Sequence, residues 1–205
     1  MRFSRISLIA TSLAVAVSAG SAFADELQRG GNVTCMGPFV NTQTGLNVMA
    51  RYKSAARIEE VTALDGESFN AVVLFPTEPR ARIEVQDTTG DDGSGRVTAV
   101  NLKDRNSLWT IEGLSTGMTP AELTAANGGP VTLTGIEQLS EGTFGLMAWL
   151  TRGDCTVVVT FYAPEGASFD HPLYKKEVRT DDPRLEPLNL KLDVIILQLP
   201  QPAEE

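Results

Sequence analysis

The chain of 205 residues carries 17 Lys and Arg against 26 Asp and Glu, a net charge of −9, with a single His and two Cys. That acidity makes nucleic acid and anionic membrane surfaces poor partners, because binding either one relies on basic side chains that neutralise phosphate. One His and two Cys cannot complete a four-ligand zinc centre, and no other cofactor signature is present.

Arg2 and Arg5 precede an apolar stretch from Ile6 to Val17, and Ala22-Phe23-Ala24 places small side chains at a cleavage position. This is the layout of a secretory signal peptide, so residues 1–24 are expected to be removed between Ala24 and Asp25. The apolar stretch falls short of the about 20 residues that span a bilayer. Asp25, not Cys, follows the cut, so no lipid anchor and no membrane insertion are expected after removal. The mature chain is then periplasmic or secreted, in a bacterial envelope. An oxidising compartment makes Cys35 and Cys155 the two ends of a disulfide.

Near residue 46 the first helix is expected, from Leu46, Met49 and Ala50 recurring at helical spacing before Tyr52. Strands are expected over residues 57–64, 70–75, 82–86, 97–102 and 108–111, where β-branched and alternating runs are bounded by Gly, Pro or Asp. A second helix has a complete start signal. Thr119 stands as N-cap, Pro120 at the first helical position and Glu122 three residues after the cap, and Asn127-Gly128-Gly129-Pro130 ends the helix. Strands follow over 131–136, 144–150, 156–162 and 192–199, the last expected to close a second sheet. The proline-rich stretch 164–187 between them reads as a long surface excursion. Phe39, Trp109, Phe144, Trp149 and Phe161 sit in or beside apolar runs and are expected to pack in the core.

A weak internal repeat emerges. Thr42 and Leu46 correspond to Thr119 and Leu123 at one offset, 71–75 matches 146–150, and 83–85 matches 157–159. The expected fold class is therefore α+β, with two similar halves, 25–112 and 113–199, each a short helical element packed on a mostly antiparallel sheet. Residues 200–205 read as a disordered acidic tail.

Several runs resemble a group of uncharacterised secreted bacterial proteins. They are Gly66-Glu67-Ser68, Val72-Val73-Leu74-Phe75-Pro76, Arg82-Ile83-Glu84-Val85 and Leu108-Trp109-Thr110, then Gly117-Met118-Thr119-Pro120-Ala121-Glu122-Leu123, Asn127-Gly128-Gly129-Pro130 and the stretch from Gly145 to Gly153 with Trp149. The group has no assigned activity. This sequence departs from its pattern at Val131, where an aromatic is usual, and lacks an aromatic-glycine stretch before Trp149. The turn-helix and tandem arrangement are more remotely similar to the β-lactamase-inhibitor-protein fold and to a small outer-membrane assembly lipoprotein. That likeness implies a binding module.

Gly113-Leu114-Ser115-Thr116-Gly117 matches the nucleophile-elbow pattern, and Ser115, Asp154 and His171 occur in the hydrolase order. Against catalysis stand the helix cap four residues after Ser115, the missing strand-helix alternation and the loop-like setting of His171. Asp87, Asp91 and Asp92 offer oxygens to a cation, but the spacing of a calcium loop is absent and a solvated turn explains them. Asp181-Asp182 before Pro183 is likewise turn-forming. The functional expectation is an exported, non-enzymatic protein-binding or inhibitor-like module whose partner is another envelope protein. The alternatives are a small serine hydrolase acting through Ser115 and a structural or stress-related envelope component.

Overall fold

The structure is a computed structural model that describes residues 28–89 and 91–201. The expected signal peptide, its cut at Ala24 and Asp25, and residues 202–205 of the expected tail lie outside the described residues. In chain order the elements are β1 (Gly31–Val33), α1 (Gly45–Tyr52), β2 (Ala56–Thr62), β3 (Ser68–Leu74), β4 (Ile83–Asp87), β5 (Val97–Leu102), β6 (Trp109–Ile111), α2 (Pro120–Asn127), β7 (Thr132–Leu133), β8 (Glu137–Ser140), β9 (Thr143–Arg152), β10 (Cys155–Tyr162), β11 (Val178–Arg179) and β12 (Leu192–Gln198). The fold is mixed, with few helices and mainly antiparallel sheet.

Eight strands make one antiparallel sheet in the order β2-β3-β4-β5-β12-β10-β9-β8. The C-terminal strand therefore does not close a second sheet, as its sequence position suggested. It lies in the middle, paired with β10 on one side and β5 on the other. The physical reason is in its side chains: Leu192, Asp193, Val194, Ile195 and Leu197 are all buried, so both faces and both edges of β12 need cover. Pairing it twice removes two sheet edges that would otherwise be exposed.

Both helices begin with reciprocal caps. The Thr119 hydroxyl accepts from Glu122 N–H at 3.2 Å and the Glu122 carboxylate accepts from Thr119 N–H at 2.7 Å, as the sequence indicated. In α1 the cap is Thr44, not Thr42: its hydroxyl accepts from Asn47 N–H at 3.2 Å while Asn47 Oδ1 accepts from Thr44 N–H at 2.9 Å. Asn in place of Glu or Gln hid that box in the sequence. The face that α1 buries also differs from the one that the Leu46, Met49 and Ala50 spacing predicts. Val48 and Tyr52 face the sheet, whereas Leu46 is 50% exposed. Tyr52 packs edge-on to Phe75 and stacks on Phe39, which also meets Trp109, so an aromatic cluster fixes α1 against β2, β3 and β4.

Val131 to Ile136 is strand only at Thr132–Leu133. Gly135 breaks it with φ +83°, and a Cβ there would collide with the Lys176 and Leu173 carbonyl oxygens. Nor is 164–187 a surface excursion. Leu173, Val178 and Leu185 are buried, and the segment is laced to the chain through Ile136 N–H to Leu173 O at 3.0 Å and Thr180 N–H to Val131 O at 2.9 Å. Its apolar residues follow no helical or strand period, so pattern reading misses them. Within it, Asp182 caps the turn Pro183–Leu188; hydrogen bonds from the Arg184 side chain and backbone hold its carboxyl down at about 2.

Cys35 and Cys155 form the disulfide, joining the segment after β1 to the first residue of β10. Its presence fits an oxidising, extracytoplasmic environment. Among the described residues, no helix is long and apolar enough to cross a membrane.

Candidate functional site

Alternate residues of a strand point to opposite sides of a sheet. In β10, Val157, Val159 and Phe161 enter the main core, so Thr156, Val158, Thr160 and Tyr162 face the other way. The register extends this second face across the sheet. Trp149 of β9 lies opposite Val158, which pairs with Ile196, then Asn101, Glu84, Val73 and Arg57, one row over seven strands. The row starts on an exposed indole and ends on an exposed guanidinium.

Trp149 corrects an expectation. Phe39, Trp109 and Phe161 are core residues and Phe144 is partly buried, but Trp149 is 54% exposed. Leu146, Ala148 and Leu150 take the core side of β9, so Trp149 must project from the opposite side. Both faces of β9 are apolar in sequence, which is why alternation did not separate them. Tyr162 on the neighbouring strand is also exposed.

The other end of the face is charged and internally paired. Arg82 bridges Glu59 at 2.9 Å and Glu84 at 3.3 Å, and Lys103 Nζ meets Glu84 at 2.8 Å. Burial alone would raise the Glu59 carboxyl, but hydrogen bonds from Arg57 and Arg82 outweigh it and hold it below the ordinary value. Burial raises the Asp104 carboxyl, with Arg82 partly opposing.

The sheet does not lie flat. Seven strand spacings of ~4.8 Å would put the edge strands β2 and β8 on the order of 34 Å apart. Yet a Cβ on Gly66, in the β2–β3 turn, would stand 3.3 Å from Ser140 Cβ at the β8–β9 turn, and Lys103 Nζ donates to Thr62 O at 2.6 Å. The β2–β3 hairpin thus folds over the second face. Beneath it lies a depression of 460 Å³ whose walls include Phe69 from the hairpin and Gln86, Asn101, Ile196 and Gln198 from the sheet. Of the polar atoms on this face, Asn101 Oδ1 and Thr160 Oγ1 are buried without a hydrogen-bond partner, and Glu84 Oε2 is buried with the Lys103 ion pair as its contact.

Thr160 lies between Met147 and Val194 in register and is 0% exposed. A buried hydroxyl with no partner is destabilising, so Thr160→Val, which keeps the shape, should raise stability by about 1 kcal/mol. In urea unfolding the midpoint should rise with unchanged slope; a lower midpoint would show that the hydroxyl is satisfied.

Of the residues singled out for hydrolysis, Asp154 and His171 lie at opposite ends of one hairpin. Asp154 is exposed in the β9–β10 turn, beside the Arg152–Cys155 pair. His171 accepts from Leu173 N–H through Nδ1 at 3.1 Å, close to the Phe144–Phe169 contact at the far end of the same hairpin. The pairs Arg152–Cys155 and Gly145–Tyr162 mark those ends, and seven residue steps at ~3.4 Å put roughly 24 Å between them. Ser115 lies between β6 and α2, its carbonyl accepting from Met118 N–H at 3.4 Å.

Asp87 ends β4, and Asp91 and Asp92 belong to the loop after it, which receives the N-terminus of α1. Gly93 O accepts from Leu46 N–H at 2.7 Å and Gly95 O accepts from Gly45 N–H at 3.2 Å. Asp87 Oδ1 accepts from Thr89 N–H at 2.8 Å, and Asp92 Oδ1 accepts from Ser94 N–H at 2.9 Å. Acidic residues beside a helix N-terminus are favourable electrostatically. Among the described residues, no group of three or more His, Cys, Asp or Glu is placed to hold a metal ion.

No family model matches this chain, and no curated protein or solved structure matches it either.

Proposed function

We propose that the protein is an exported binding module that acts outside the cytoplasm, in the periplasm or beyond, and that its partner is another envelope protein seated on the second face of the sheet. The observation that carries this is Trp149: a large aromatic side chain, 54% exposed, on a rigid strand beside Met147, Thr151 and Val158. Tryptophan contributes most per residue to protein interfaces, and an indole presented on a strand loses little conformational entropy when it docks. The surroundings are apolar or hydroxyl-bearing, and the chain's net charge of −9 disfavours an acidic partner. The partner is therefore a protein with an apolar slot for the indole and a neutral to basic rim.

The organisation of the sheet supports a module of two similar halves. A capped helix precedes β2 to β5, and another precedes β8, β9, β10 and β12. Apart from Phe75, the segments aligned by the sequence repeat, 71–75 with 146–150 and 83–85 with 157–159, lie on the second and third strands of the two sets. Duplication of a helix-and-sheet unit gives one sheet face broad enough to recognise a protein surface.

A photo-crosslinker placed at Thr151 in cells should trap one defined partner, and the purified pair should form a stoichiometric complex. Trp149→Ser should weaken that complex at least about tenfold, since aromatic anchors commonly contribute 2 kcal/mol or more. Equal affinity of the wild-type and Trp149→Ser proteins would rule out this face. Export is checked independently by intact mass of the protein from the envelope fraction, which should show Asp25 as the first residue; full-length protein confined to the cytoplasm would contradict it.

A further inference from the structure

The depression beneath the β2–β3 hairpin is separate from the indole patch and has its own chemistry. Gln86, Ala99 and Gln198 are successive partners in one row of the second face, and Asn101 and Ile196 form the adjacent row. Three carboxamides from strands β4, β5 and β12 therefore line a single hollow, with Phe69 on the opposite wall. Its 460 Å³ falls within the ~300–1,000 Å³ of small-molecule sites.

Asn101 makes this more than a dent in the surface. The residue is 4% exposed, and its Oδ1 has no hydrogen-bond partner. An orphaned buried acceptor is satisfied by a ligand that donates. Charge narrows the class. The one cation in the lining, Lys103, is already engaged by Glu84 at 2.8 Å and by Thr62 O at 2.6 Å, while Asp65 and Glu67 stand in the lining as well. Such a wall repels anions. Both edges of β5 and of β12 are paired, so the floor offers no backbone edge to an extended peptide. Carboxamides both donate and accept, as hydroxyl groups do, and Phe69 with Ile196 supplies apolar surface for C–H groups.

We infer that the depression under the β2–β3 hairpin is a binding site for a neutral sugar unit, held by the carboxamides of Gln86, Asn101 and Gln198 with its apolar face against Phe69 and Ile196. A turn of the Asn101 carboxamide brings Oδ1 to a donating hydroxyl, and the two glutamines clasp hydroxyls on either side of Ala99.

The test is NMR titration of the oxidised protein with D-glucose, D-galactose and N-acetyl-D-glucosamine to about 10 mM, the regime of weak single-site binding. The expected result is a saturable shift of the side-chain amide signals of Asn101, Gln86 and Gln198 by at least one of these sugars. Asn101→Leu should weaken it at least about tenfold, because a site built around a hydrogen bond penalises its loss. Should Asn101→Leu fail to fold, the exposed Gln198→Ala is the variant to use, with the same direction of effect. Trp149→Ser should leave the sugar response unchanged, so failure here and failure of the protein-binding reading are told apart. The inference is overturned if none of the three sugars shifts these signals, if phosphate or an uncharged tetrapeptide shifts them in place of the sugars, or if folded variants respond like the wild type.

Discussion

Reduction of the Cys35–Cys155 bridge is expected to produce the largest loss of stability of any single covalent change in this chain. The bridged residues are 120 apart in sequence. In the chain-entropy account, closing a loop of that size stabilises by up to about 5 kcal/mol. For a domain of this size each kcal/mol moves the midpoint by ~2–4 °C, so reduction should lower the melting temperature by roughly 10–20 °C. The bridge also fastens the segment that carries β1, whose one strand partner among the described residues is the three-residue β6. Melting with and without reductant, and of the Cys35→Ala/Cys155→Ala double variant, measures the effect. A shift of under about 2 °C, or rapid alkylation of both thiols without reductant, would show that the bridge contributes nothing.

Trp109→Ala should be the most damaging single substitution in the core, by about 3–5 kcal/mol. The side chain is 0% exposed, touches Phe39 at a ring distance of 6.1 Å, and donates from Nε1 to Ala81 O at 2.7 Å. Alanine leaves both a cavity and a buried carbonyl that loses its donor. Trp109→Phe retains most of the packing and loses the hydrogen bond, so its effect should be smaller, about 1–3 kcal/mol. Denaturant unfolding of the two variants separates the contributions, and equal destabilisation would mean that the hydrogen bond carries all of it. The chain has two tryptophans, one buried and one exposed, so Trp149→Ser isolates the Trp109 emission for this measurement.

What was legible in the sequence follows from range of interaction. The α2 capping box involves Thr119, Pro120 and Glu122, neighbours whose hydrogen bonds form wherever the helix lies. Strand β5, predicted at 97–102, is observed there because its β-branched run fits a buried strand whatever its partners. The cysteine pair was legible by elimination, two thiols in a chain whose N-terminal residues read as an export signal. Short pairings such as β1 with β6 and β7 with β11 were not legible, since strands of two or three residues have too few alternations to read.

The sequence by itself determined the local elements, the mixed mainly antiparallel character and the disulfide, because each rests on residues close together or on a choice with one outcome. Tertiary structure alone decided that β12 sits in the middle of one sheet, that Trp149 points to solvent, and that Gln86, Asn101 and Gln198 share one hollow. Those three facts depend on strand register between distant segments. A period of two says that neighbours on a strand point to opposite sides, but not which side the core will occupy when both are apolar.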